Sequence, residues 1–325
     1  MTEPIIAIAG PTASGKTELA VRLAAILEGE ILSADSRQVF RGMNIGTGKD
    51  LRSYILNDGT CIPYHLIDIL DAGDSIDVFR WQTAFNEAYQ SVIKKHKRAF
   101  LVGGSGLYLE TALKGVALSK APINPALRTE LEEHLSAEDL CHILARFHKE
   151  RSVADPHNMR RLVRSIEIAT YEANHEEDSK LQNAPLPHIL LLIDIPKEER
   201  IVRIHNRLQS RVEEGLIDEV ENLIKNKVPV QTLINYGLEY RYITQYLIGE
   251  LTKEEALRLL EIAIRQFAKR QMTWFRGMER RGFTLHPING LQSLDEQVNE
   301  ALEIIKRYDS FYKENNIRFI KHIEQ

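Results

Sequence analysis

Eight consecutive residues, Gly10-Pro11-Thr12-Ala13-Ser14-Gly15-Lys16-Thr17, fit the spacing G-x-x-x-x-G-K-[ST] at every required position. In a loop of this kind successive backbone N–H groups curl around an anion, and the helix that follows adds the positive end of its dipole. Lys16 would reach the outer phosphates of a bound nucleotide, such as ATP, or of a diphosphate ester, and Thr17 offers a hydroxyl to Mg²⁺. The motif requires a strand before it and a helix after it. Ile5-Ile6-Ala7-Ile8-Ala9 reads as a short buried strand, and Leu19, Leu23, Ile26 and Leu27 recur at helical spacing. A plain glycine-rich turn would not need all eight positions in that context. The loop leaves open which phosphate it holds and whether a phosphoryl group is transferred.

A second strand, Glu30–Ala34, runs into Asp35-Ser36-Arg37-Gln38-Val39-Phe40. Ligands of open parallel sheets gather at the carboxyl ends of strands, so Asp35 projects toward the space above the glycine loop. There it could orient a metal-bound water or remove a proton; the bland alternative is an Asx turn that closes the strand. The Gln38 amide can pair with a base edge in the way amides read adenine. Arg41–Asp50 is glycine-rich and polar and reads as a mobile loop near the same rim. Tyr64–Leu70 reads as a third strand-like segment, whose His65 is either near the site or a satisfied structural histidine. Ser75 is expected to cap a helix from about 77 to 96. Arg98–Val102 is another buried strand and opens into Gly103-Gly104-Ser105-Gly106, a second glycine turn whose Ser105 hydroxyl could meet a phosphate or a leaving oxygen.

From Lys120 the strand–helix rhythm stops. Two helices are expected between Asn124 and Phe147, and a third from Asn158 to Tyr171, with Leu162, Ile166 and Ala169 on its apolar stripe. Arg160, Arg164 and Glu167 lie on the other side and Arg161 near the edge, which makes either a phosphate-contacting edge or a solvated charged face. A polar loop, Ala173–Pro187, closes the block, so residues 116–187 read as a helical insertion between core segments 1–115 and 188–325. His188–Pro196 is the clearest strand in the chain, and almost everything after it reads as helix. Six basic residues (Arg265, Lys269, Arg270, Arg276, Arg280, Arg281) stand against two acidic ones between Leu260 and Arg281, with Phe267, Trp274 and Phe275 interleaved. Cations beside aromatic faces are what a single-stranded RNA surface requires. Alone, Trp274 and Phe275 read as core residues.

The whole-chain formal charge of −4 argues mildly against a polyanion partner, which is why the local cluster matters. With 325 residues, 43% of them hydrophobic and 27% charged, the chain can build a full core and an extra unit. Cys61 and Cys141 fit neither a metal spacing nor a disulfide framework, so a reducing cytoplasm is expected. No signal-peptide pattern and no membrane-spanning apolar run is present.

Taken together, these segments resemble the tRNA dimethylallyltransferase (isopentenyl-tRNA transferase) family, over roughly residues 5 to 305. The resemblance rests on G-P-T-A-S-G-K-T at Gly10–Thr17, D-S-R-Q-V-F at Asp35–Phe40, H-L-I-D at His65–Asp68 and V-G-G-S-G-L-Y at Val102–Tyr108. It continues in R-R-L-V-R at Arg160–Arg164, R-V-E-E-G-L at Arg211–Leu216 and A-K-R-Q-M-T-W-F-R at Ala268–Arg276. It implies an α/β fold: a P-loop NTPase-like parallel-sheet core, a helical insertion that clamps tRNA, and a helical C-terminal region. It implies transfer of a dimethylallyl group from dimethylallyl diphosphate to N6 of the adenine just 3′ of the anticodon, with Mg²⁺. Gly10, Pro11, Thr12, Ala13, Ser14, Gly15, Lys16 and Thr17 would hold the diphosphate. Asp35 would accept the N6 proton, Gln38 would meet the flipped adenine, and Asp35, Ser36, Arg37 and Gln38 would all contact the tRNA. Ser105 would contact the leaving-group end beside the tRNA. Arg128, Arg160, Arg161, Leu162, Val163 and Arg164 of the insertion, and Arg265, Lys269, Arg270 and Arg276, would contact the anticodon stem-loop. A monomer is expected, because the molecule should wrap one RNA. The absence of a C-terminal Cys/His zinc module points to a bacterial-type enzyme.

Several positions depart from the family pattern. Ser105 stands where threonine is usual, Ile45–Asp50 lacks the Ala-Lys-Pro ending, and Tyr64 replaces a histidine. Pro156-His157-Asn158-Met159 and Gly237-Leu238-Glu239-Tyr240 differ from the usual His-Pro-Asn-Asp and Gly-Tyr-Lys-Glu. Three other readings remain at this point. A P-loop kinase acting on a nucleotide or metabolite would have to turn over ATP. A non-catalytic RNA-binding protein would tolerate loss of Asp35, and a free-nucleotide prenyltransferase would need no RNA surface.

Overall fold

The run before the glycine loop becomes the middle of a sheet because it is apolar on both faces. In a computed structural model that describes residues 3–115, 118–147, 158–175, 180–181 and 184–323, strand β1 (Ile5–Ala9) is fully buried. Helix α1 (Lys16–Ile26) follows, then β2 (Gly29–Ser33), β3 (Tyr64–His65), α2 (Val78–Lys94), β4 (Arg98–Gly103) and α3 (Gly106–Lys114). After a helical segment come β7 (His188–Asp194), β8 (Leu285–Asn289) and the helices that flank them. These six strands pair as one sheet, all parallel, in the order β3-β2-β4-β1-β7-β8. Parallel sheets are covered on both faces. Ile5, Ala7 and Ala9 face one core with Trp81, Phe85 and Leu109, while Ile6 and Ile8 face another with Leu19, Leu23 and Ile305. Each fully buried aliphatic side chain contributes about 1.5–3 kcal/mol.

The chain divides into two compact units. The first is Met1–Lys114 with Pro185–Gln325 and holds the sheet; the second is Gly115–Ala184. Within the second, β5 (Leu118–Ser119) pairs antiparallel with β6 (Lys180–Leu181). Helices α4 (Pro125–His134), α5 (Ala137–Phe147) and α6 (Met159–Asn174) pack around Leu131, Leu140, Leu144, Leu162, Val163 and Ile166. In the first unit, helices α7 (Lys197–Glu213), α8 (Leu216–Lys225), α9 (Val230–Tyr236), α10 (Leu238–Leu247) and α11 (Lys253–Arg280) lead to β8 and α12 (Leu294–Ile323). A Thr252–Glu255 capping box starts the 28-residue α11.

The structure corrects four expectations. The cap of α2 is Asp77, whose side chain accepts from the Arg80 N–H, while Ser75 contributes only its carbonyl. The Tyr64–Leu70 strand stops at His65, because Leu66 and Asp68 take left-handed backbone conformations. Strand β8 was not anticipated; Pro287 and two polar neighbours mask its pattern, which an edge position permits. The Arg41–Asp50 loop is held at many points rather than mobile. Glu219 accepts the N–H groups of Asn44, Ile45 and Gly46, and buried Lys49 donates to the Phe40 carbonyl, Asn44 and Asp68. The Pro156–His157 departure lies outside the described residues.

Candidate active site

Strands β1, β2 and β4 end at the same edge of the sheet, so the loops after them meet. A cavity of about 700 Å³ is lined there by Thr12–Glu18, Asp35–Gln38, Gly46–Gly48 and Val102–Ser105. Residues from α7, α10 and α11 complete it. The glycine loop has the shape its sequence asks for. Ala13 (φ 61°) and Gly15 (φ 84°) both take left-handed conformations, which turns the intervening N–H groups inward, and α1 begins directly after Gly15. Lys16 donates to the Pro11 carbonyl at 2.7 Å. Burial, reinforced by the nearby Arg207 charge and partly offset by Asp35, lowers its ammonium pKa from 10.5 to about 7.

Asp35 is fixed by an Asx turn, with Oδ1 accepting the Arg37 N–H at 2.8 Å. The turn expected of this residue anchors one oxygen, and the carboxylate also lines the cavity. Gln38 is held at both ends. Its Oε1 accepts from the Ser33 hydroxyl at 2.8 Å and its Nε2 donates to the Gly48 carbonyl at 3.1 Å. Ser36, Arg37 and Ser105 also line the cavity.

The sequence reading missed a cationic wall. Arg203, Arg207 and Arg211 recur every four residues on α7 and so share one face, and all three line the cavity. Arg207 pairs with Asp50 at 2.9 Å, and Arg211 meets Glu239 at 3.3 Å. The left-handed Gly48 makes room for both guanidinium groups, which a Cβ there would strike. Burial beside Arg211 lowers the Arg207 pKa to about 10, and burial of Glu239, opposed by Arg211, raises that carboxyl's pKa. The four-residue spacing was the available signal. Gln271, also overlooked, accepts from Thr12 N–H and donates to the Gly104 carbonyl, both at 2.9 Å. His65 is structural: its Nε2 lies 2.7 Å from buried Glu30, which also meets Lys95.

Thr17 and Asp35 offer oxygen ligands of the hard type that Mg²⁺ takes. Among the described residues no cluster of three His, Cys, Asp or Glu side chains forms. That donor set suits an ion that arrives with a diphosphate and completes its shell from the ligand and water.

In the helical unit, Arg160 and Arg161 are exposed on α6. Leu162 and Val163 are 0% and 1% exposed, so their side chains are core residues and not RNA contacts, a correction to the five-residue stretch. Glu167 is likewise buried instead of lying on the charged face. It receives Arg128 through two bonds of 2.8 Å, Arg164 at 3.0 Å and the Asn124 N–H at 2.9 Å at the start of α4. On α11, Arg265, Lys269, Arg270 and Arg276 are exposed, as is Trp274, whereas Phe275 is buried. No described helix is long and apolar enough to cross a membrane.

The family profile described as IPP transferase matches residues 38–278. The chain is similar to tRNA dimethylallyltransferase 2 of Porphyromonas gingivalis, 46% identical over 300 residues that make up 92% of this chain and 98% of that protein. It is 48% identical to tRNA dimethylallyltransferase 1 of Azobacteroides pseudotrichonymphae, over 88% of this chain and 92% of that one. Among solved structures, it is similar to the full-length tRNA isopentenylpyrophosphate transferase of Bacillus halodurans. The TM-score is 0.68 at 30% identity, covering 96% of this chain and all of that chain.

Proposed function

The chain belongs to the IPP transferase family, and we propose from that premise that its cavity binds dimethylallyl diphosphate against the glycine loop with a tRNA adenine beside Asp35. It is a tRNA dimethylallyltransferase, and the fold is the P-loop α/β core of that family. The acceptor in this reading is N6 of the adenine 3′-adjacent to the anticodon. One observation carries the reading: the anion-shaped loop, Lys16, Arg207 and Arg211 share one cavity with the Asp35 carboxylate.

The chemistry follows from those groups. An exocyclic adenine amine is a weak nucleophile, so the allylic C–O bond must be well ionised when N6 forms its bond to C1. The electron pair of that bond leaves on diphosphate. The loop N–H groups from Ala13 to Thr17, with Lys16, Arg207 and Arg211, stabilise the departing charge, each donor typically contributing about 3–4 kcal/mol. Thr17 would hold Mg²⁺, which supplies further charge neutralisation at the diphosphate. Asp35 takes the N6 proton, an effect of roughly 10²–10⁴-fold. Gln38 and Ser36–Arg37 frame the flipped base, and Ser105 adds a hydroxyl near the leaving oxygen. Arg160, Arg161, Arg265, Lys269, Arg270 and Arg276 contact the anticodon stem-loop phosphates, and Arg128 and Arg164, ordered by Glu167, add their remaining N–H groups within the 116–187 insertion. The protein works as a cytoplasmic monomer.

Asp35→Asn tests the assignment. It keeps the Oδ1 acceptor for the Arg37 N–H and removes the base. Single-turnover transfer is expected to fall at least 100-fold with diphosphate affinity within threefold of wild type, whereas unchanged transfer contradicts the role.

A further inference from the structure

We infer that Gln271 is a positioning residue that couples RNA docking on α11 to the geometry of the diphosphate cradle; this rests on the reading of the site as a tRNA prenyltransferase. The side chain is 7% exposed and its one amide bridges two loops distant in sequence. Oε1 accepts from Thr12 in the glycine loop and Nε2 donates to the carbonyl of Gly104, the residue before Ser105. The fit is close: a Cβ on Gly104 would strike Gln271 Nε2, and one turn further along, a Cβ on Gly106 would strike the Trp274 ring. Helix α11 is thus seated on the turn after β4 through two successive turns of its own. The neighbours of Gln271 face the other way. Lys269, Arg270, Thr273 and Arg276 are exposed, and the Arg270 guanidinium lies 6.0 Å from the Phe267 ring.

The residue type is specific to this task. Bridging an N–H and a carbonyl requires one acceptor and one donor on the same planar group. Glutamate lacks the donor and methionine lacks both. Helix α11 is a rigid rod of about 42 Å, so a force on its basic face reaches the amide without dissipating in a loop. Any displacement of α11 on RNA binding moves the bond that orients the Thr12 N–H and the bond that holds the turn bearing Ser105. The two substrates then influence one another through a single side chain, and coupling of this kind is reciprocal.

The test measures binding of inorganic diphosphate with Mg²⁺ to the full chain, with and without saturating unmodified tRNA, alongside single-turnover transfer of labelled dimethylallyl. In wild-type protein tRNA is expected to raise diphosphate affinity 5- to 100-fold. Gln271→Met is expected to reduce that factor below twofold and to slow transfer at least tenfold, with tRNA affinity within threefold and an unchanged melting temperature. Gln271→Glu, which keeps the Thr12 acceptor, is expected to be intermediate, and it carries the test if the methionine variant does not fold. No coupling in wild-type protein, wild-type coupling in the variants, or a loss wholly accounted for by KM for tRNA overturns the inference. If wild type transfers no label to tRNA, the functional reading fails instead.

Discussion

Lys16 gives the site a pH dependence that can be worked out in advance. In the empty cavity its pKa is about 7, against an ordinary 10.5, because burial and Arg207 disfavour the charged form. A bound diphosphate places negative charge beside the ammonium and returns the pKa toward its ordinary value. The charged lysine is the binding form, so affinity is full below about pH 7 and declines as pH rises through the empty-site pKa. Between pH 7 and pH 9 the dissociation constant is expected to rise roughly 50-fold. At pH 8 the empty site carries about a tenth of a proton on Lys16, so binding takes up about 0.9 proton; at pH 6 it takes up about 0.1. Isothermal titration calorimetry in two buffers of different ionisation enthalpy reads that number. Lys16→Arg keeps a cation that does not titrate in this range, and subtracts protonation of the ligand itself. Equal proton uptake by both proteins at pH 8, with flat wild-type affinity from pH 7 to 9, would show that Lys16 does not change protonation on binding.

Three further outcomes are expected. Glu167→Ala removes the buried acceptor of Arg128, Arg164 and the Asn124 N–H and should cost about 1–3 kcal/mol within the helical unit; limited proteolysis should show cleavage confined to residues 115–184. Glu219→Ala removes the acceptor shared by Asn44, Ile45 and Gly46 N–H groups, so the melting temperature should fall by a few degrees and hydrogen exchange should quicken across residues 43–50. The double substitution Arg160→Ala/Arg161→Ala should weaken tRNA binding and lower the slope of log affinity against log salt by about 1–2, with kcat unchanged at saturation.

The parts legible in the sequence are those written in short contiguous stretches. The glycine loop, the buried runs at Ile5–Ala9 and His188–Ile193, and the apolar stripe of Leu162, Ile166 and Ala169 on α6 each carry their own pattern. Asp35 could be placed because a strand end fixes where its side chain emerges. The arginine wall was half legible: Arg203, Arg207 and Arg211 share a helix face, but nothing local says that the face turns toward the glycine loop. Gln271 and Glu219 were out of reach for the same reason. The backbone partners of Gln271 lie 259 and 167 positions away and those of Glu219 173–175 away, and a lone polar residue in an amphipathic helix usually means solvent. The error at Leu162 and Val163 came from treating a motif as a continuous contact strip, when helical geometry sends its middle to the core. The pinned Arg41–Asp50 loop shows the converse: glycine-rich composition suggested mobility, but a buried lysine and one carboxylate hold the backbone from across the fold.

Transfer of a dimethylallyl group onto tRNA in this cavity can be read directly. The most direct measurement supplies radiolabelled dimethylallyl diphosphate and Mg²⁺ with unmodified tRNA bearing adenine 3′ of the anticodon, the same tRNA with guanine there, and AMP and ATP in parallel. Label is expected only in the adenine tRNA, recovered on digestion as N6-dimethylallyladenosine and lost with Asp35→Asn. Label in the free nucleotides, or ATP turnover with no label in RNA, would contradict that transfer.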